Sequence, residues 1–382
     1  MTSAEKKAWI HGVGMTPFVR TSEDSYTEMG QRAVITALID AGLGVDQIDE
    51  FYCGTGYGGP LAGQRIGNAI GLSGQRTVNI ENACSSGMSA LALAREAVLS
   101  GRIDRALVLG IDKLSDLGSG ALPLEEGDIE VRQGVIMPAV YAMRAARYLN
   151  DTGATLEDLA RVSVKAREHG ALSPFAQIRK PTDVSEVIAS RPVADPLTLF
   201  MCCPRGDGAA AVVISSARPG DARPAVELKA LELYSGTFTN GHRDMTRSQL
   251  SERTVQAAYR AAEIGPEDVQ VAEVHDAFSI AELMYYEALG FARPGEGWRL
   301  IREGSTGIDG RIAVNPGGGL LARGHPVGAT GIAQVCELYR QVTGQAEATQ
   351  VQGARTGVAH CTGGGIAGVD HGACGVAVVS RA

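Results

Sequence analysis

Short runs of apolar and β-branched residues alternate along the chain with longer segments whose apolar positions recur every three to four residues. Arg105–Ile111 (RALVLGI), Ala209–Ile214 (AAAVVI) and Gly375–Ser380 (GVAVVS) lack polar/apolar alternation and predict buried strands. Helical periodicity predicts helices over Gly30–Ala41, Gly87–Leu99, Glu252–Ala262 and Thr330–Val342. The 49 glycines cluster at the ends of apolar segments, as where strands hand over to helices, so the pattern predicts an α/β protein.

The pattern also repeats. QRAVITALIDAGLGVDQIDEF (31–51) aligns with TVQAAYRAAEIGPEDVQVAEV (254–274): an amphipathic helix, a glycine, an acidic turn, then a strand. TVNIENACSSGMSALALAREAV (77–98) aligns with IAVNPGGGLLARGHPVGATGIAQVCELYRQV (312–342): a strand, a polar loop and a helix of small and apolar residues. Each half ends on an apolar strand, at 209–214 and 375–380. Two similar α/β halves, roughly 1–220 and 221–382, are the simplest account. The first is longer because Ser115–Thr198 intervenes before its last strand. In a duplicated enzyme an insert on one half is expected to cover the site, although a plain spacer has the same signature.

Composition narrows the function. The 382 residues are 45% hydrophobic and 20% charged, as in a soluble globular protein. The net charge of -8 speaks against a nucleic-acid or membrane-surface role, so an anionic ligand needs locally placed Arg or Lys. The start, MTSAEKKAWIHGVG, lacks the apolar core of a secretory signal, and no apolar run reaches membrane length, so a cytoplasmic location is expected. The ending Ser380-Arg381-Ala382 is not the peroxisomal tripeptide. Seven cysteines without even spacing fit a reducing compartment.

Four loops could carry chemistry. Cys84, in ENACSSG, lies at a strand-to-helix junction, where free N–H groups and the helix dipole favour a thiolate. It could equally be a small buried residue ahead of a Ser85 or Ser86 cap, and on this stretch alone both readings stand. EVHDAF (273–278) sets His275 and Asp276 after a strand, where a carboxylate or carbonyl could fix the imidazole tautomer. NPGGGLLARGHP (315–326) packs glycines beside His325, and HCTGGG (360–365) presents Cys361 in a glycine run. There is no C-x-x-C or H-x-x-x-H pair, and Cys202-Cys203 are adjacent, so no metal is expected.

These loops, in this order and over essentially the whole chain, resemble the thiolase superfamily. The matching motifs are Cys84-Ser85-Ser86, Gly324-His325-Pro326 within GGGLLARGHPVGATG, and Cys361-Thr362-Gly363. His275-Asp276-Ala277-Phe278 stands where Asn-Glu-Ala-Phe is common, and resembles the sterol-carrier-protein-2 type thiolases, as does CCPRGDGAAAVV (202–213). The resemblance implies a five-layered α-β-α-β-α fold from two similar halves. It also implies a CoA-dependent acyltransferase that cleaves a 3-oxoacyl-CoA, or runs the reverse condensation, with coenzyme A as co-substrate and no permanently bound cofactor. Cys84 is then the nucleophile, His325 its base and Cys361 the acid/base. Cys84 and Gly363 supply one set of oxyanion N–H groups, and His325 with His275 the other. Cys203 and Arg205 are candidate substrate contacts, with the cations of 179–191 as alternatives. Ketoacyl synthases share the fold but use Cys-His-His or Cys-His-Asn sets. A lipid-transfer-protein-like retro-aldolase and a non-catalytic acyl-CoA or lipid carrier are the alternatives. A homodimer is implied, and a small zinc-ribbon/OB-fold partner, if used, must be a separate chain.

Overall fold

The computed structural model describes residues 6–118, 120, 122–124, 127–220, 223–238, 243–365 and 370–382. In the first half, strands β1 (Trp9–Met15), β2 (Glu50–Gly54), β3 (Arg76–Ile80) and β4 (Arg105–Lys113) alternate with helices α1 (Tyr26–Ala41), α2 (Ala62–Ala69) and α3 (Ser86–Leu99). The insert follows, with α4 (Ile129–Arg132), α5 (Met137–Asp151), α6 (Leu156–Leu172), α7 (Val184–Ala189) and the short pair β5 (Pro192–Ala194) and β6 (Leu197–Thr198). β7 (Asp207–Ser215) then returns to the sheet. The second half contains β8 (Val226–Ser235), α8 (Gln249–Ala262), β9 (Val271–Glu273), α9 (Ser279–Ala288), α10 (Gly297–Arg302), β10 (Ala313–Val314), α11 (Gly319–Arg323), α12 (Thr330–Thr343), β11 (Thr356–Gly363) and β12 (Ala373–Arg381).

The sheet order β10-β9-β11-β12-β8-β1-β7-β4-β2-β3 is a palindrome of roles. β1 runs antiparallel to β7, β7 antiparallel to β4, and β4, β2 and β3 run parallel. β8, β12, β11, β9 and β10 repeat those relations one for one. The two five-stranded sheets join through a short antiparallel contact, Trp9 with Glu227 and Ile10 with Val226. Five layers result: α1 and α2 pack outside one sheet and α8 outside the other, while α3 and α12 lie between and touch strands of both. This explains the uninterrupted apolar runs. β4 and β7 are covered on both faces, and every residue of β7 is buried.

The insert departs from its place in the sequence. It belongs to the first half by chain order, yet α6 packs on α9, α10 and α11, and α5 packs on α9. Its apolar residues Tyr141, Tyr148, Leu159 and Val162 join the same cluster as Leu250, Leu283 and Val314. The reason is the apolar outer surface of α9, whose residues Ile280–Tyr286 are all buried.

Candidate active site

Cys84 sits in the turn between β3 and α3. Ala83 just before it has φ 47°, a left-handed conformation that costs a non-glycine residue on the order of 1–3 kcal/mol. A web of bonds holds it: Ala83 N–H donates to Glu81 Oε1 (2.7 Å), Asn82 N–H to Ser86 Oγ (2.8 Å), and the Ser86 hydroxyl to Ala83 O (2.6 Å). Neither serine caps the helix through its side chain. The Ser85 hydroxyl instead donates to Cys361 O (3.2 Å), tying the turn to β11 of the other half.

His325 Nε2 lies 3.2 Å from Cys84 Sγ. Its tautomer follows from the far side of the ring. The single Thr330 hydroxyl proton goes to Pro326 O (2.9 Å), so Thr330 Oγ1 accepts from His325 Nδ1–H (2.7 Å). The Nε2 lone pair therefore faces the thiol, as a general base requires. Nothing in the sequence singled out Thr330; its place one turn into α12 after Pro326 was the available signal.

His275 and Cys361 complete the cluster. His275 Nδ1 lies 3.4 Å from Cys361 Sγ, and the Cys361 thiol donates to Cys84 O (3.1 Å). The two imidazoles meet edge to face, with centroids 5.0 Å apart. The Asp276 carboxylate bonds elsewhere than His275. It accepts the Leu320 and Leu321 N–H groups (2.7 and 3.3 Å) at the start of α11, satisfying donors that a short buried helix leaves open. That contact links the His275 loop to the helix that leads into Gly324-His325.

Exposure decides how the site is entered. His275, His325 and Cys361 are 3%, 5% and 0% exposed, whereas Cys84 is partly open. Burial pushes the Cys84 thiol up to about 12, outweighing the Gly364 N–H beside the sulfur, so the lowering expected from the helix dipole is not met. Burial also pushes His325 down to about 4 and His275 well below its ordinary value, and raises the Cys361 thiol. Both shifts favour a neutral thiol beside a neutral imidazole in the resting pair.

The remaining candidates take other places. Gly363 packs against the Cys84 turn, where a Cβ would come 2.5 Å from Asn82 O, while the Gly364 N–H is the one directed at the Cys84 sulfur. Cys203 N–H donates to Ala277 O (2.9 Å), bringing that segment against the His275 loop. Arg205 turns away: its guanidinium donates to Gly120 O and Leu114 O (2.9 and 2.5 Å) and holds the start of the insert. Arg179, Lys180 and Arg191 are exposed.

The insert braces both histidine loops. Tyr141 of α5 stacks on Phe278 (centroids 4.4 Å), and Gln177 and Ile178 N–H groups donate to Arg323 O and Ala322 O (3.2 and 2.9 Å), just before His325.

Family models extend the resemblance over most of the chain, with "Thiolase, N-terminal domain" matching residues 8–218 and "Thiolase C-terminal domain-like" matching 236–370. The chain belongs to the thiolase family. This thiolase is 39% identical over 370 residues to the benzoylsuccinyl-CoA thiolase subunit BbsB of Thauera aromatica, covering 94% of this chain and 96% of that one. It is 32% identical over 388 residues to sterol carrier protein 2 of Oryctolagus cuniculus, covering 95% and 71% of the two chains, which fits the sterol-carrier-protein-2 branch. The solved structure of an Ltp2-ChsH2(DUF35) aldolase shares the fold, with a TM-score of 0.82 at 22% identity and 98% of each chain covered. The thiolase fold and thiolase-type acyltransferase activity expected from the sequence are upheld. Among the described residues no helix is long and apolar enough to cross a membrane.

Proposed function

We propose that this thiolase cleaves a 3-oxoacyl-CoA with CoA, or joins two acyl-CoAs, through an acyl group carried on Cys84. The observation that carries this reading is His325 Nε2, tautomer set by Thr330, 3.2 Å from the Cys84 sulfur. In the cleavage direction His325 takes the thiol proton as the sulfur attacks the 3-oxo carbonyl. The bond between the α-carbon and that carbonyl carbon breaks, and Cys361 protonates the departing acetyl-CoA carbanion. CoA thiol then displaces the acyl group from Cys84: the Cys361 thiolate takes the CoA proton and His325 returns its proton to the leaving Cys84 sulfur, so each group ends as it began.

Negative charge develops on a thioester oxygen in both half-reactions. The Cys84 N–H and the backbone of Gly363-Gly364 support one oxyanion, with His325 and His275 at the other; each lost donor typically costs ~100 to 1000-fold in turnover. The bond from Cys203 N–H to Ala277 O in the His275 loop supports assigning Cys203 to the pantetheine path, whereas Arg205 bonds Leu114 and Gly120 at the start of the insert. CoA is a co-substrate and no permanent cofactor is required. We assign residues 1–220 and 221–382 to the two halves, with 115–198 as the cover.

The free edge of β3, where Arg76 and Asn79 are exposed, supports a homodimer. A BbsB relative that is itself a subunit, and the Ltp2 neighbour paired with a DUF35 chain, support a separate partner of the zinc-ribbon/OB type. Seven free cysteines support a reducing, cytoplasmic location. The Ltp2 neighbour also keeps a retro-aldolase or carrier role in view, but a complete Cys84, His325 and Cys361 set favours acyl transfer.

Intact-mass spectrometry after incubation with a panel of acyl-CoAs tests this. A single acyl adduct, mapped to Cys84 and absent in Cys84→Ala, is expected. Ligand binding without an adduct would point to a carrier and overturn the scheme.

A further inference from the structure

Three loops far apart in sequence place the Cys84 sulfur and one ring nitrogen each of His275 and His325 within 4.8 Å of one another. We propose that this triad is also a binding site for a thiophilic divalent cation, Zn²⁺ foremost, that reversibly blocks the enzyme. Zinc takes sulfur at about 2.3 Å and imidazole nitrogen at about 2.0–2.1 Å, with tetrahedral ligands, so its donors stand roughly 3.3–3.8 Å apart. Cys84 Sγ and His325 Nε2 are already 3.2 Å apart. The 4.8 Å bound leaves only small side-chain rotations to close the set. The edge-to-face rings, at 85°, let two nitrogens approach one point without stacking.

The donors select the ion. One thiol and two imidazoles suit zinc and cadmium and not magnesium or calcium, which prefer oxygen. Three protein ligands with a fourth position left to water is the open arrangement of catalytic zinc sites. The outer nitrogen of His325 is held by Thr330 (2.7 Å), the kind of support that fixes a metal-ligating imidazole. Cys361, 3.4 Å from His275 Nδ1, places a second sulfur at the edge of the set. Cys84 is the partly open member and gives the ion its approach.

Binding exchanges a proton for the metal. The S–H bond of Cys84 breaks, an S–Zn bond forms, the proton leaves to buffer, and no electrons are transferred. The sulfur and the His325 lone pair are then engaged together. That this stops turnover rests on the acyl-transfer reading above, whereas the binding itself does not. This is a competitor for the site and not a resident cofactor, and no sequence spacing announces it.

His275 separates this thiolase from chains with asparagine in that loop, since an amide is a poor zinc ligand. Chelator-treated full-length protein titrated with Zn²⁺, with metal counted by mass spectrometry, is expected to take up one ion per chain. Co²⁺ substitution should give the visible absorption of a tetrahedral thiolate site. Zn²⁺ should protect Cys84 from iodoacetamide, read by peptide mapping, and a chelator should restore labelling. Cys84→Ser, His275→Asn and His325→Ala, each checked for an unaltered unfolding temperature, should bind at least tenfold more weakly. A Cys202→Ser variant should bind as wild type. Uptake that survives the three site variants, or is lost in Cys202→Ser, overturns the proposal. Zinc uptake in a protein that forms no acyl adduct would leave the metal site standing and reject the acyl-transfer reading alone.

Discussion

The two halves share one strand order, yet they contribute unequally to the site. Glu50 of β2 pairs with Ala106 of β4, and Val271 of β9 pairs with Gly357 of β11, each first residue following a one-turn helix at the same spacing. Four residues further along those strands, Gly54 corresponds to His275 and Gly110 to Cys361. At these two positions the first half has glycine where the second has a reactive side chain. A Cβ on Gly110 would come 2.3 Å from Gly328 O, in the segment that joins His325 to α12. Two residues on, Asp112 accepts from Thr55 Oγ1 (2.7 Å), Gly56 N (2.9 Å), Tyr57 N (2.9 Å) and Gly328 N (2.6 Å). The first half is thus a cradle that receives the second half's base and adds one nucleophile. A site made this way is single by construction, because the room taken by one set of side chains is vacated by the other.

The contrast can be broken most directly at His325. His325→Ala should lower turnover by roughly 100 to 10,000-fold, the usual range for a lost general base, with little change in unfolding midpoint. Steady-state rates with an acyl-CoA substrate, read beside thermal unfolding, check both halves of that statement. A large loss of stability would mean that the second half's reactive residues also hold the fold.

The insert sharpens the comparison next. Buried Arg144 of α5 pairs with Asp370, which also accepts from Ser248 Oγ (2.6 Å), pinning a first-half segment to the second half. Asp370→Asn should destabilise by ~3–5 kcal/mol in urea unfolding, because it leaves a buried guanidinium uncompensated. Burial alone would raise the Asp370 pKa, but His371, Arg144 and Ser248 outweigh it and hold the carboxyl well below its usual range. A depressed carboxylate pKa adds stability that is complete above about pH 4 and fades as pH falls below it. Wild type should therefore lose stability on acidification more steeply than Asp370→Asn.

A smaller effect is expected in the cradle. Gly110→Ala forces backbone apart and should cost ~1–3 kcal/mol, with turnover falling alongside because His325 moves with α12. Equal stability and full activity would show that the glycine is not needed for the approach. The smallest effect belongs to Thr330→Val, which removes a bond worth on the order of 1 kcal/mol and should slow acylation of Cys84 several-fold. Stopped-flow acylation is the measurement; an unchanged rate would mean that the tautomer is set elsewhere.

Much of this was legible in the chain. The predicted helices Gly30–Ala41, Gly87–Leu99, Glu252–Ala262 and Thr330–Val342 all fall within observed ones, the first three starting late and the last ending just short. Their periodicity reports burial of one face, which is local information. The aligned segments also anticipated the repeated strand order, since the equivalents of 31–51 and 77–98 occupy the same places in the second sheet. Less visible were the roles of Asp112, Tyr141 and Asp370, which are ordinary residues until a distant partner gives them work, and of Thr330, whose partner His325 is near in sequence but acts on a thiol from the other half. The partners of the Arg205 guanidinium were hidden for the same reason: its acceptors are the carbonyls of Gly120 and Leu114, some ninety residues back in the chain.

The sequence by itself determined the α/β class, the duplication and the four loops that carry cysteine and histidine, because periodicity and motif spacing are properties of neighbouring residues. Only the tertiary structure decided which half supplies room and which supplies reactive groups, where the insert docks, which His325 nitrogen faces the thiol, and that burial raises the Cys84 thiol instead of lowering it. Each of those depends on burial and on contacts in space, most of them with partners tens to hundreds of residues away, because desolvation and hydrogen bonding act through space.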